Sequence, residues 1–139
     1  MPDEVSGRCL CGRVRFRIAG HVRDVINCHC HRCRRHTGHF LAATQCMRDD
    51  LQVDSMERLR WYSPDGTVGY GFCEECGSTL FWRSGETADK ISVAAGTLDT
   101  PTGLTTQASI WTREASDYHA LDRTIPSRPF GTEGSQDSL

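Results

Sequence analysis

Long apolar runs are missing from this sequence: no stretch approaches the ~18 consecutive hydrophobic residues of a membrane-spanning helix. The start, MPDEVSGRCL, lacks a basic segment leading into an apolar one, so neither secretion nor insertion is expected and a cytoplasmic protein is the reading. An excess of positive charge is missing as well. The formal net charge of -2 gives no general attraction to phosphate backbones, and loading thiolate sites with zinc would make it more negative, so nucleic acid is not an expected partner. Internal repeats and dividing linkers are also absent. The 139 residues are therefore expected to form one domain, residues 1–130, followed by a polar tail, residues 131–139 (GTEGSQDSL), expected to be disordered.

Helical periodicity is scarce, and the clearest patterns have period 2. In Arg13 to Ile18, Val14, Phe16 and Ile18 alternate with Arg13, Arg15 and Arg17, the signature of a strand with one buried and one solvated face. Shorter signals of the same kind occur at Leu59 and Trp61, Tyr70 and Phe72, Leu80 to Trp82, and Ile91 to Ala95. Turn residues such as Pro64-Asp65-Gly66 and Ser84-Gly85 separate them at spacings suited to antiparallel connections. A mainly β, antiparallel fold is expected, with a short helical turn after Cys33, Arg34 to Thr37, stopped by Gly38.

What the sequence does have is sulfur. Eight cysteines in a reducing compartment, grouped in clusters, favour metal ligation over a disulfide framework. Cys9 and Cys11 flank one residue and in extended chain point to the same side; Cys73-Glu-Glu-Cys76-Gly77 reads as a zinc knuckle whose glycine supplies a positive φ. Together these four make a closed tetrahedral site, expected to be structural because four protein ligands leave no room for substrate.

The stretch CHCHRC leaves Cys28, Cys30 and Cys33 for a second zinc, and three ligands with one open position are the mark of a catalytic site. His29 and His31 alternate with the cysteines and should face away, while Cys46, in an expected strand from Phe40 to Cys46, is read as a small core residue or else as a fourth ligand or redox partner. Three thiolates make zinc a weak Lewis acid for hydrolysis but a good captor of an external thiol. Arg32, Arg34 and Arg35 either offset the charge and grip a carboxylate or form a solvated basic turn. His36 and His39 are surface groups, or one of them donates a hydrogen bond to a metal ligand or carries a proton, and Trp61, Trp82 and Trp111 belong to the core or to a pocket wall.

Four motifs in order, Gly7-Arg-Cys9-Leu-Cys11-Gly12, Cys28-His-Cys30-His-Arg-Cys33-Arg34-Arg-His-Thr-Gly38, Phe72-Cys73-Glu-Glu-Cys76-Gly77-Ser78 and Ala95-Gly96-Thr97-Leu98-Asp99, resemble the glutathione-dependent formaldehyde-activating enzyme family, also called centromere-protein-V-like. The resemblance runs from about Gly7 to about Trp111. It implies a β-tent fold, two zinc ions per chain and a carbon-sulfur lyase that forms or cleaves an adduct between a small thiol such as glutathione and an aldehyde such as formaldehyde. By motif, Cys9, Cys11, Cys73 and Cys76 match structural ligands and Cys28, Cys30 and Cys33 the catalytic ones. Where the family commonly carries a late His-Ile or His-aromatic pair followed by tryptophan, this chain has Ser109-Ile110-Trp111, with Tyr118 beyond. The alternatives are a non-catalytic zinc-stabilised binding module and a thiol-based redox or metal sensor.

Overall fold

Alternating side chains set most of the strands. In a computed structural model that describes residues 4–131, Val14, Phe16 and Ile18 are all buried while Arg13 and Arg15 are exposed, so the period-2 expectation holds. The strand itself runs Arg15–Ala19. The chain is mainly β, with ten strands among the described residues: β1 (Glu4–Arg8), β2 (Arg15–Ala19), β3 (Val25–Cys28), β4 (Leu41–Met47), β5 (Leu51–Val53), β6 (Leu59–Tyr62), β7 (Gly69–Cys73), β8 (Thr79–Arg83), β9 (Lys90–Ala94) and β10 (Thr106–Ile110). One α-helix, α1 (His31–Thr37), follows β3. The tail expected to be disordered lies outside the described residues apart from Gly131.

These residues fall into two compact units, one formed by residues 4–23 and 44–103, the other by 24–43 and 104–131. In the first, β2 pairs antiparallel with both β1 and β5, and a second antiparallel run is ordered β9-β8-β7-β6. The two layers meet through apolar faces: Phe16 of β2 stands edge-on to Phe81 of β8, with ring centroids 5.3 Å apart. Gly7 permits the approach at one end of β1, because a Cβ there would collide with the Phe16 ring and lie 2.5 Å from the Thr97 carbonyl oxygen.

In the second unit β3 is central, antiparallel to the start of β4 and parallel to β10. The mainly β expectation holds, with this parallel pair making the sheet mixed. A parallel neighbour needs a long crossover, and β3 and β10 are separated by most of the chain. The helix also begins earlier than expected, at His31 and not after Cys33, and closes at Gly38, whose φ of 89° is a left-handed cap. Its start is held by Cys30 Sγ, which accepts from the Cys33 N–H at 3.4 Å, and by Glu114, whose Oε1 accepts from the His31 N–H at 2.8 Å.

Candidate metal centres

The first cluster is built by two turns of the first unit. Cys9 follows β1, and the chain reverses through Leu10, Cys11 and Gly12, with Gly12 at φ 81° and its N–H donated to the Cys9 carbonyl at 3.2 Å. The extended geometry expected for Cys9-Leu-Cys11 is therefore corrected to a tight turn; the two sulfurs still converge, 3.6 Å apart. Cys73 ends β7, and Gly77, at φ 78°, donates to its carbonyl at 2.8 Å, the knuckle anticipated from the sequence. Cys11 and Cys73 sulfurs are 3.8 Å apart. A tetrahedron with zinc–sulfur bonds near 2.3 Å has edges of about 3.8 Å, so both spacings suit one tetrahedral ion held by Cys9, Cys11, Cys73 and Cys76.

The electrostatics of this cluster favour thiolates unevenly. Burial pushes the Cys76 thiol up, but hydrogen bonds with Ser78 and from the Cys11 backbone outweigh it and bring it down to about 5. Burial holds Cys73 up at about 11. Ser78 links the two turns, its hydroxyl lying 3.1 Å from Cys76 Sγ while accepting from the Leu10 N–H at 3.0 Å.

The second cluster, Cys28, Cys30 and Cys33, lies in the second unit with every sulfur buried and all three within 4.8 Å of one another. Cys28 ends β3, where its neighbours are Leu41 of β4 and Ile110 of β10. Cys30 caps α1 and Cys33 sits in its first turn. Hydrogen bonding with Cys30 and Cys33, reinforced by burial, pushes the Cys28 thiol far up, since three crowded sulfurs cannot share negative charge without a cation. A buried set of three sulfur donors fits a soft divalent ion such as zinc and suits magnesium or calcium poorly.

The flanking groups sort themselves. His29 turns away from the sulfurs into a ring cluster, 4.8 Å from Phe40 and 5.5 Å from His119 between centroids. Burial, then the nearby His119 and His39, brings its pKa down to about 4. The His31 imidazole pairs with Glu114, Nδ1 to Oε1 at 3.0 Å. Neither imidazole joins the sulfurs, as expected. Cys46 belongs to neither cluster; it is buried on β4, lines a cavity of about 240 Å³ with His21, Asp50 and Lys90, and burial raises its thiol to about 11. His39 Nδ1 lies 2.9 Å from the Tyr118 hydroxyl, and burial lowers His36.

Beside the second cluster is a cleft of about 200 Å³ lined by Cys30, His31, Arg32, Trp111 and Glu114. Trp111, half-buried, has φ 53°, in the left-handed region where a non-glycine residue is strained, and its buried Nε1 has no hydrogen-bond partner among the described residues. Of the three expected arginines only Arg32 lines the cleft; Arg34 and Arg35 occupy the last turn of α1, where positive charge suits the helix end. Trp82 is core, whereas Trp61 lines a different groove. Glu114 was not legible as a site residue, because its carboxylate reaches a helix start 83 positions away.

No described helix is long and apolar enough to cross a membrane. Curated proteins offer no match. Among solved structures, the crystal structure of a Rhodobacter sphaeroides protein, a structural-genomics target, is similar: 20% sequence identity, a TM-score of 0.58, covering 88% of this chain and 98% of that one, a likeness of fold. The family model for the glutathione-dependent formaldehyde-activating enzyme matches residues 4–114 and takes in all seven clustered cysteines. On that match, which spans most of the sequence, the chain belongs to the glutathione-dependent formaldehyde-activating enzyme family.

Proposed function

We propose that this protein is a carbon-sulfur lyase that joins a small thiol to an aldehyde, or cleaves the adduct, in the cleft beside Cys30, with glutathione and formaldehyde as the pair the family description suggests. In this reading Cys9, Cys11, Cys73 and Cys76 hold a structural zinc, and Cys28, Cys30 and Cys33 hold a catalytic one. The observation that carries it is the donor count: three buried sulfurs without a fourth His, Cys, Asp or Glu donor among the described residues, next to a cleft that one of those sulfurs lines. Zinc in that site supplies a soft cationic position that lowers the pKa of an incoming thiol and holds it as thiolate.

The chain's own residues account for the rest. Adduct formation makes one carbon-sulfur bond; the thiol loses its proton and the carbonyl oxygen gains one, so the cleft must carry a proton and steady a developing oxyanion. Trp111 Nε1, a buried donor without an acceptor among the described residues, is suited to the oxygen. Glu114 is the cleft's carboxylate, anchored by its Oε1 to His31, and is suited to the proton. Arg32, on the same wall, is placed to meet a carboxylate of a peptide-like thiol.

Cys46 supports the enzymatic reading over a purely structural pair of sites, since it was the remaining sulfur that could have closed the second tetrahedron and it lies in neither cluster. No disulfide joins any of the eight cysteines, all of them described residues, which supports the reading of a reducing, cytoplasmic setting. The test is turnover of formaldehyde with glutathione by the zinc-loaded protein, measured above the uncatalysed reaction. Rate enhancement abolished by Cys30→Ser supports the lyase; a rate equal to background with every thiol offered refutes it.

A further inference from the structure

The first unit also carries a groove lined by residues from both of its layers. β5 and β6 are edge strands of the two layers, and β5 is only three residues long. Leu51 and Val53 of β5 stand opposite Ile18 and Phe16 of β2 and so share their core-facing side. With Leu59 and Trp61 of β6, Phe81 of β8, Ile91 of β9 and the exposed Met56 they line a groove of about 200 Å³.

The far wall of this groove is charged. Arg83, at the end of β8, stacks its guanidinium carbon 3.8 Å from the Trp61 ring centroid, and Arg48 lines the same groove. The stack is accommodated by glycine. Gly71 is the register partner of both Trp61 and Phe81, and Gly69 of Arg83. A Cβ at Gly71 would lie 3.2 Å from the Trp61 ring, and one at Gly69 3.1 Å from that ring and 3.2 Å from Arg83 Nε. Two absent side chains thus leave a flat floor for an indole and a guanidinium.

The charge is poorly compensated. The Arg83 side chain is only 15% exposed, yet its one ion pair among the described residues is with Glu86, 3.8 Å away on a side chain that is 86% exposed. Arg48 donates to the Glu86 backbone carbonyl and brings no carboxylate. Burial, and then Arg48, lower the Arg83 pKa. Two guanidiniums beside an apolar slot, one of them largely desolvated and paired only with the exposed carboxylate of Glu86, form a surface complementary to a negatively charged group on an apolar body.

We propose that this groove binds a small organic anion, with its apolar, planar body among Leu51, Leu59, Trp61 and Phe81 and its carboxylate between Arg48 and Arg83. The size suits a single ring with a short acidic arm, since an apolar cavity of about 150 Å³ accepts benzene. None of the clustered cysteines lines the groove, so this inference stands apart from the reading of the metal centres.

The test is titration of 3-phenylpropionate into the zinc-loaded full chain, followed through the Trp61 indole N–H resonance, with 3-phenylpropanamide and acetate as probes that keep only the body or only the charge. Saturable binding of the acid, at least about tenfold tighter than the amide and than acetate, and weakened at least about tenfold by Arg83→Gln or Arg48→Gln with zinc content unchanged, is the expected result. An amide or acetate that binds within tenfold of the acid, arginine variants that bind as the parent does, or no saturable Trp61 shift overturns the proposal. The parent-protein comparison decides the matter even where a variant fails to fold.

Discussion

Cys30 Sγ accepts a hydrogen bond from the backbone N–H of Cys33 at 3.4 Å, so one side chain serves both as helix cap and as a proposed metal ligand. Serine can keep the first role and lose the second. Cys30→Ser is therefore expected to lower zinc content from two per chain to one and to abolish thiol-aldehyde turnover, with far-UV circular dichroism unchanged. Metal analysis joined to the spectrum checks this; loss of both zincs would show that the clusters are not independent.

The four-sulfur cluster should govern folding in place of turnover. Structural zinc contributes on the order of 10 kcal/mol in small zinc domains, which matches or exceeds the net stability of a chain this size. Cys73→Ser, or exhaustive chelation, should abolish cooperative unfolding or lower the Tm by more than about 10 °C. A variant that melts like the parent would remove the structural assignment of Cys9, Cys11, Cys73 and Cys76.

Glu114 separates stability from chemistry. Glu114→Gln keeps an oxygen that can accept from the His31 N–H but removes the carboxylate, so stability should hold while kcat falls about 100-fold. Glu114→Ala should in addition cost about 1 kcal/mol by uncapping α1. Chemical denaturation and steady-state kinetics on both variants test the separation, and unchanged kcat in the glutamine variant would dismiss Glu114 as proton carrier.

Gly7 has no side chain because the interior has no room for one. A Cβ would meet the Phe16 ring and the Thr97 carbonyl oxygen where Gly7 bridges Leu98, and backbone cannot yield as a flexible side chain can. Gly7→Ala should destabilise by about 3 kcal/mol. Urea unfolding measures it; a change below about 1 kcal/mol would mean that β1 moves freely.

Burial lowers the His36 pKa, so the folded chain binds its proton less readily than the unfolded chain, whose value is near 6.5. The stability contributed by neutral His36 is complete above about pH 6.5 and is lost as pH falls through the depressed folded value. His36→Gln should flatten the acid side of the stability profile, and an unchanged slope below about pH 6.5 would contradict this.

Much of this was legible in the sequence because thiol spacing and strand alternation are local. Val14, Phe16 and Ile18 fixed the buried face of β2, Gly77 marked the knuckle, and the division of seven cysteines into four and three matches the two clusters. The departures come from contacts made at long range. Cys9 and Cys11 converge through a turn closed by Gly12, not through extended chain. The start of α1 at His31 depends on Glu114, and the parallel pairing of β3 with β10 on a partner most of the chain away. His119 is not legible in the sequence, because its place beside His29 and His39 depends on the fold of the second unit and on no local pattern.

The central claim is that the Cys28, Cys30 and Cys33 site has room for a thiol from outside. Sulfur coordination numbers from X-ray absorption at the zinc edge, recorded with and without glutathione, test it directly. Two zincs per chain should average 3.5 protein sulfurs per metal, roughly one three-sulfur and one four-sulfur site, and rise to about four when the thiol is added. An average of four sulfurs before any thiol, or one that ignores the thiol altogether, would contradict the account.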